Sequence, residues 1–330
     1  MNVTHVLGAR RLGFVAGSLA FVAAGLATVA PAGAATTAEV AGDTLTVKGS
    51  SASESLALRL APGQANTLQV DFGDDGTADA SFDRATFSSI RVTLRAGDDA
   101  FRVDQVNGSF ADEALTVEGE NGRDTLNGGD GAEQFFGGRG DDAVDGNRGN
   151  DTGILGSGQD SFRWDPGDGS DIVEGGFGHD TLDFNGAGAN EIMSLSANGS
   201  RSLFLRDVAN IRMDMDDVET LDLTALGGTD TMTVNDMSGT DVKLANVDLS
   251  GPTGGPDGAA DVVAVKGSTR GDDIAVTATG IGIEVDGLKT TTAIAGAEPA
   301  DQLVVDGQAG DDAITVDPAV NALITVLSNP

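Results

Sequence analysis

Cysteine is absent from the 330 residues, so the chain has no disulfide framework, no thiol nucleophile and no thiolate metal site. Tyrosine is also absent, tryptophan occurs once and aromatics make up 4% of the sequence, which leaves few of the flat apolar faces that line most ligand sites. Histidine occurs only at His5 and His179, too few for an HExxH zinc protease. No GxSxG elbow is present for a lipase-type hydrolase. Four lysines are a poor supply of basic groups for a lyase or epimerase acting on acidic sugars. Basic residues as a whole are scarce: 19 Lys and Arg face 52 Asp and Glu, a formal net charge of −33. Nucleic acids and anionic membranes select for the opposite sign, so neither is an expected partner. Paired carboxylates for glycoside hydrolysis are available among so many acids, but the chain is expected not to be an enzyme.

The first 34 residues are set aside. Arg10 and Arg11 precede an apolar run from Leu12 to Ala30, and Ala32-Gly33-Ala34 fits a small-residue cleavage site. A cleaved signal peptide over 1–34 is therefore expected, with a secreted, extracellular product and no membrane insertion. Its removal takes away two arginines and no acid, leaving the remainder still more negative. A charge of that size opposes compaction unless something cationic compensates. With no disulfides and few aromatics, a structural metal is one of the staples still available.

Glycine and aspartate are what the chain has in abundance, and they are ordered. From Gly119 the sequence stacks in nines as GENGRDTLN, GGDGAEQFF, GGRGDDAVD, GNRGNDTGI and LGSGQDSFR. Trp164 and Asp165 interrupt, and PGDGSDIVE and GGFGHDTLD follow over 166–183. All seven units have glycine at the fourth position. The sixth is Asp124, Glu133, Asp142, Asp151, Asp160, Asp171 and Asp180, and the eighth is apolar in every unit but the one holding Gly153. Such self-similarity marks a repeat architecture. Six glycine-rich residues make a sharp turn, and the next three make a short strand whose middle side chain points inward. Two units close one coil of a flattened parallel spiral, so turns eighteen residues apart stack directly. Stacked strands lie roughly 4.8 Å apart, and two bare carboxylates at that distance repel by roughly 3.5 kcal/mol at an effective dielectric of 20. A cation between them removes the penalty. Calcium, bound by oxygens at about 2.3–2.6 Å, spans the gap; magnesium wants shorter bonds, and zinc wants ligands this chain lacks.

These nonapeptides resemble the hemolysin-type, or RTX-type, calcium-binding repeat GGxGxDxUx, with GGRGDDAVD and GGFGHDTLD matching every column. The resemblance implies a parallel β-roll holding several Ca2+ ions, up to five for seven turns paired at alternate steps. It also implies that the sixth-position acids are side-chain ligands, with backbone carbonyls near Gly119, Gly128, Gly137, Gly146 and Gly175 completing each shell. Glu133 departs from the aspartate column, Gly153 is expected to leave a hole in the inner stack, and the two-residue insertion is expected to disturb the 146/166 and 155/175 pairings. Trp164 is read as a packing residue closing the first five units, and His179 as a solvated filler.

The flanks read as further β structure. DTLTV (43–47), DAFRV (99–103), DTMTV (230–234), DVVAV (261–265), DQLVV (301–305) and DAITV (312–316) repeat one pattern, acid then alternating apolar residues. They are expected to form degenerate solenoid coils or an accessory sandwich. DFGDDGTAD (71–79) echoes an EF-hand loop but has Gly73 and Phe82 where ligands belong, so a hairpin turn is expected there. The fold class expected is all-β, a parallel β-roll over 119–183 flanked by β-rich regions over 35–118, 184–250 and 262–330, with a turn-rich loop over 251–261. The function expected is that of a secreted protein that folds on binding extracellular calcium, in a structural or surface-associated role. The second reading is a calcium-dependent adhesin or matrix component whose partner is an extracellular polysaccharide or a cell surface. A carbohydrate-active enzyme comes third.

Overall fold

The computed structural model describes residues 36–330. The signal peptide expected over 1–34 lies outside the described residues. Short extended segments alternate between two sheets of 14 strands each, joined at glycine-rich corners. Within the repeats Gln134 pairs with Thr116 and Thr152, and Ala143 pairs with Thr125 and Ser161, so these parallel ladders step by 18 residues. This is the all-β parallel roll that the nine-residue period implies, since two strands and two turns make one coil.

The Trp164–Asp165 insertion lengthens one step to 20 residues, with Thr152 on Ile172 and Ser161 on Thr181. The ladders survive because the extra residues are taken up in a corner. There the Trp164 indole N–H donates to the Gly169 carbonyl at 2.8 Å, and the Asp165 amide donates to Asp168 Oδ2 at 2.6 Å.

Both sheets run on beyond the repeats in each direction. Ser89–Ala96 and Ala100–Asp104 pair in parallel with Ala114–Asn121 and Thr125–Asn127, and Thr220–Thr224 pairs in parallel with Thr181–Asn185. Three antiparallel meanders enter the sheets as insertions. They comprise Ser55–Ala61, Gln64–Phe72 and Ala80–Asp83; Ile192–Asn198, Arg201–Arg206 and Ile211–Asp216; and Asp273–Ala278, Ile283–Asp286 and Thr291–Ala295. The loop over 251–261 leaves the coil between Leu244–Asp248 and Val262–Lys266, and Val262 returns to pair with Thr231 in the continuing sheet.

Alternation puts one side chain in two inside the roll. On one wall Leu126, Val144, Phe162, Leu182 and Leu221 stack in register, all buried. The facing wall stacks Val117, Phe135, Gly153, Val173 and Met215. The hole expected at Gly153 is not there. A Cβ on Gly153 would lie 2.7 Å from Phe162 Cδ2, so the ring from the opposite wall already fills that space, as close packing demands. Trp164 is fully buried and stacks on Phe184 with ring centres 4.1 Å apart. Phe184 in turn meets Phe204 at 4.6 Å, which extends the apolar interior past the repeats.

The 71–79 segment is a hairpin turn. Buried Asp71 is held by Arg59 at 2.6 Å and accepts from the Gly76 amide at 2.9 Å. Its charge is therefore already matched by a guanidinium.

Candidate metal centre

The seven sixth-position acids fall on the two corners of the roll. Asp124, Asp142, Asp160 and Asp180 stack on one, and Glu133, Asp151 and Asp171 on the other. Each sits where a turn enters a strand, so parallel stacking places the backbone N–H of one acid over the carboxylate of the next coil. The Asp124 amide donates to Asp142 Oδ1 at 2.8 Å, Asp142 to Asp160 at 2.7 Å and Asp160 to Asp180 at 2.9 Å. On the second corner Glu133 donates to Asp151 at 2.7 Å and Asp151 to Asp171 at 2.8 Å. These amide-to-carboxylate bonds offset part of the bare repulsion that the sequence implies. They also change the expected pairing: successive carboxylates do not simply face each other, because one oxygen of each is claimed by backbone.

The other oxygen is left over. Oδ2 of Asp124, Asp142, Asp151, Asp160 and Asp180 is buried and has no hydrogen-bond partner. A buried carboxylate oxygen without a donor is costly, and here the cost recurs from coil to coil. What faces it is another oxygen. The space beside Gly137, where a Cβ would sit, is bounded by Asp142 Oδ2 at 2.6 Å and the Leu155 carbonyl at 2.5 Å. Beside Gly119 the same space is bounded by Asp124 Oδ2 and the Gly137 carbonyl. Beside Gly128 it is bounded by Glu133 Oε2 and the Gly146 carbonyl, and beside Gly175 by Asp180 Oδ2 and the Asp217 carbonyl. At these four positions glycine keeps the cradle open, since a Cβ there would lie within 3 Å of both oxygens.

Carboxylate and carbonyl oxygens converging with no donor between them are the donor set of a hard cation of calcium's class. The residues present fit such an ion. Beside Gly146 the nearest atoms all belong to Asp151. The next coil opens there at Pro166 after the insertion, in the 146/166 pairing expected to be disturbed.

Burial pushes these carboxyls up: Asp142 and Asp171 to about 7, Asp151 to about 9 and Asp160 to about 6, with neighbouring carboxylates adding to the shift. Asp124, Glu133 and Asp180 are raised by burial as well. Glu133 is the odd member. Its longer side chain bends back so that Oε2 accepts from the Gly129 amide at 3.0 Å, and it leaves no orphan oxygen. His179 is exposed and meets Thr220 Oγ1 at 3.0 Å, away from these oxygens.

A model of the RTX calcium-binding nonapeptide repeat matches four copies, over residues 116–144, 128–162 and 167–192. The chain carries RTX calcium-binding repeats. The matched segments cover the stacked acids on both corners, and the four residues they skip, 163–166, span the insertion. RTX repeats bind Ca2+ as a class, and their parallel coils are the architecture seen here. No curated protein and no solved structure matches the chain. Among the described residues no helix is long and apolar enough to cross a membrane.

Two participants escape sequence reasoning. The Leu155 carbonyl stands where the repeat has an apolar residue instead of glycine, and the Asp217 carbonyl belongs to a coil 39 residues further on than Asp180's. The first is legible once the ladder step is known. The second is not, because the intervening meander hides which turn comes next in the stack.

Proposed function

We propose that this chain is a secreted calcium-binding protein whose roll folds when it meets extracellular Ca2+, and whose role is structural or surface-associated rather than catalytic. The observation that carries the reading is the row of buried carboxylate oxygens with no donor, repeated at each coil of the roll. Oδ2 of Asp124, Asp142, Asp151, Asp160 and Asp180 would hold the ions. The carbonyls of Gly137, Leu155, Gly146 and Asp217 would complete the shells, and Glu133 and Asp171 would line the second corner. Five orphan oxygens in the repeats support the expectation of up to five ions. The metal would supply a positive charge that accepts these oxygens' lone pairs, where the protein offers neither a basic group nor a hydrogen-bond donor. Because the site does not exist in the unfolded chain, its binding free energy is folding free energy. Where calcium is scarce the acids repel and the roll is destabilised; where it is abundant the coils close.

Far-ultraviolet circular dichroism during calcium titration tests this, with magnesium in parallel. A cooperative gain of β signal with calcium and little with magnesium is expected. A fold and melting point unchanged by exhaustive dialysis against EDTA would overturn it.

A further inference from the structure

We propose that two further divalent-cation sites lie outside the matched repeats, one at Asp99 and one at Asp230; the inference rests on the calcium reading of the roll. Both aspartates are 2% exposed, and in both Oδ2 is buried with no partner, as in the repeats. In both, Oδ1 is claimed by the backbone of a preceding acid. The Glu54 amide donates to Asp99 and the Glu191 amide to Asp230, each at 2.8 Å.

Their turns have the backbone of the repeats although their sequences have drifted. In GGRGDD, Gly138 and Gly140 take φ of 114° and 120°, two left-handed residues that aim the following aspartate inward. Before Asp99 the same two positions are Arg95 at 87° and Gly97 at 127°. Before Asp230 they are Leu226 at 68° and Gly228 at 111°. An arginine and a leucine held left-handed cost roughly 1–2 kcal/mol each, so the turn is kept against local preference. Nor does a side chain at the opening position, Leu94 or Ala225, argue against a site. Leu155 occupies that position in a matched repeat, and Asp160 Oδ2 is unpartnered there too.

Acids at comparable corners that have found protein partners supply the contrast. Glu191 is bound by Arg206 Nε at 2.6 Å, and Asp301 Oδ2 accepts from the Glu298 amide at 2.7 Å. Asp272 Oδ2 accepts from the Ser268 amide at 2.7 Å. Asp99 and Asp230 have no such second partner. Their surroundings offer them acids instead, Asp98 and Asp124 near the first, Asp257 and Asp261 near the second. A hard, oxygen-seeking divalent ion is the ligand class that meets this need.

Equilibrium dialysis of the full chain against radiolabelled calcium tests the proposal, using Asp99→Asn, Asp230→Asn, the double variant and a half-buried loop control, Asp236→Asn, whose Oδ1 accepts from the Ser238 amide. Asparagine keeps the oxygen that accepts the amide and replaces the orphan charged oxygen with a neutral NH2 that cannot ligate a cation. Saturating stoichiometry should fall by one ion in each single variant and by two in the double, with the control unchanged. Melting provides the second readout: each variant should lose stability in saturating calcium and keep or gain it in EDTA at neutral pH. Unchanged stoichiometry, or an equal loss of melting temperature with and without calcium, would overturn these two sites and leave the roll standing. An unmodified chain that binds no calcium would overturn the roll reading itself.

Discussion

At Glu191 a fully buried carboxylate has a guanidinium pressed against it: Arg206 donates from Nε at 2.6 Å and lies over the Trp164 ring at 5.1 Å. At Asp142, on a corner of the same solenoid, an equally buried carboxylate has one backbone amide and otherwise only oxygens for company. Elsewhere in the flanks the first solution recurs, with Glu113 gripped by Arg84 through two bonds of 2.7 Å and Asp71 by Arg59 at 2.6 Å, while Asp99 and Asp230 follow the second. The repeats follow the second at five corners. One coil architecture is thus neutralised in two ways. Flank corners with their own arginines hold their charge balance without help, whereas on the proposed reading the roll takes its cations from the solvent.

Removing metal should separate the two solutions most sharply, and pH reports how. Without calcium, the folded pKa of each orphan-bearing aspartate lies above its unfolded value near 4, so the folded chain holds protons that the unfolded chain has released. That contribution is complete below about pH 4 and is lost as pH rises through about 6 for Asp160, about 7 for Asp142 and about 9 for Asp151. In EDTA the melting temperature should therefore fall steadily from about pH 5 to pH 8. Calcium should restore far more at pH 8 than at pH 5, where protons already do its work. Thermal melts across that range check the claim, and a calcium-free stability that rises with pH would break the comparison.

The protein-supplied solution breaks differently. Arg206→Met strands Glu191 as an unpaired buried charge and should cost about 3–5 kcal/mol, the usual penalty for removing one partner of a buried pair. Saturating calcium should not rescue it, since Arg206 Nε and Nη2 both bond Oε1 and the other oxygen, Oε2, accepts from the Ala187 amide. Adding Glu191→Gln, which keeps that acceptor, should recover most of the loss. Chemical denaturation of both variants in calcium measures the two steps. Full rescue of the single variant by metal would show that guanidinium and ion are interchangeable here.

How much of this was legible in the sequence follows from the same contrast. The repeat columns give the roll, its coil length and the corner for each acid, because a period of nine interrupted once, at Trp164-Asp165, leaves little freedom in which turn stacks on which. The division of each carboxylate between an amide and an orphan oxygen is a consequence of strand register at the corner, which composition does not reveal. Phe162 filling the space at Gly153 depends on the facing wall, not on the strand itself. The flanks are readable as β structure, either degenerate coils or a sandwich, but not in their stacking order. Their ladder steps of 23 to 47 residues arise from meanders and loops of irregular length, so neighbours in the stack are distant and aperiodic in sequence. The arginines that neutralise their acids come from those insertions.

The smallest effect tests whether the departures from the repeat are defects or adaptations. Glu120 occupies the second position of the first unit, where GGRGDDAVD and GGFGHDTLD have glycine, and it is held at φ 72°. Its side chain is exposed, so no packing compensates for the left-handed backbone, which costs a non-glycine residue roughly 1–2 kcal/mol. Glycine relieves that strain but loses more freedom on folding, by roughly 0.5–1 kcal/mol. Glu120→Gly should therefore stabilise the calcium-bound roll by up to about 1.5 kcal/mol, while also removing one negative charge from a corner already rich in them. Denaturant melts in calcium measure it. Destabilisation instead would mean that Glu120 contributes something to its corner beyond its strained backbone.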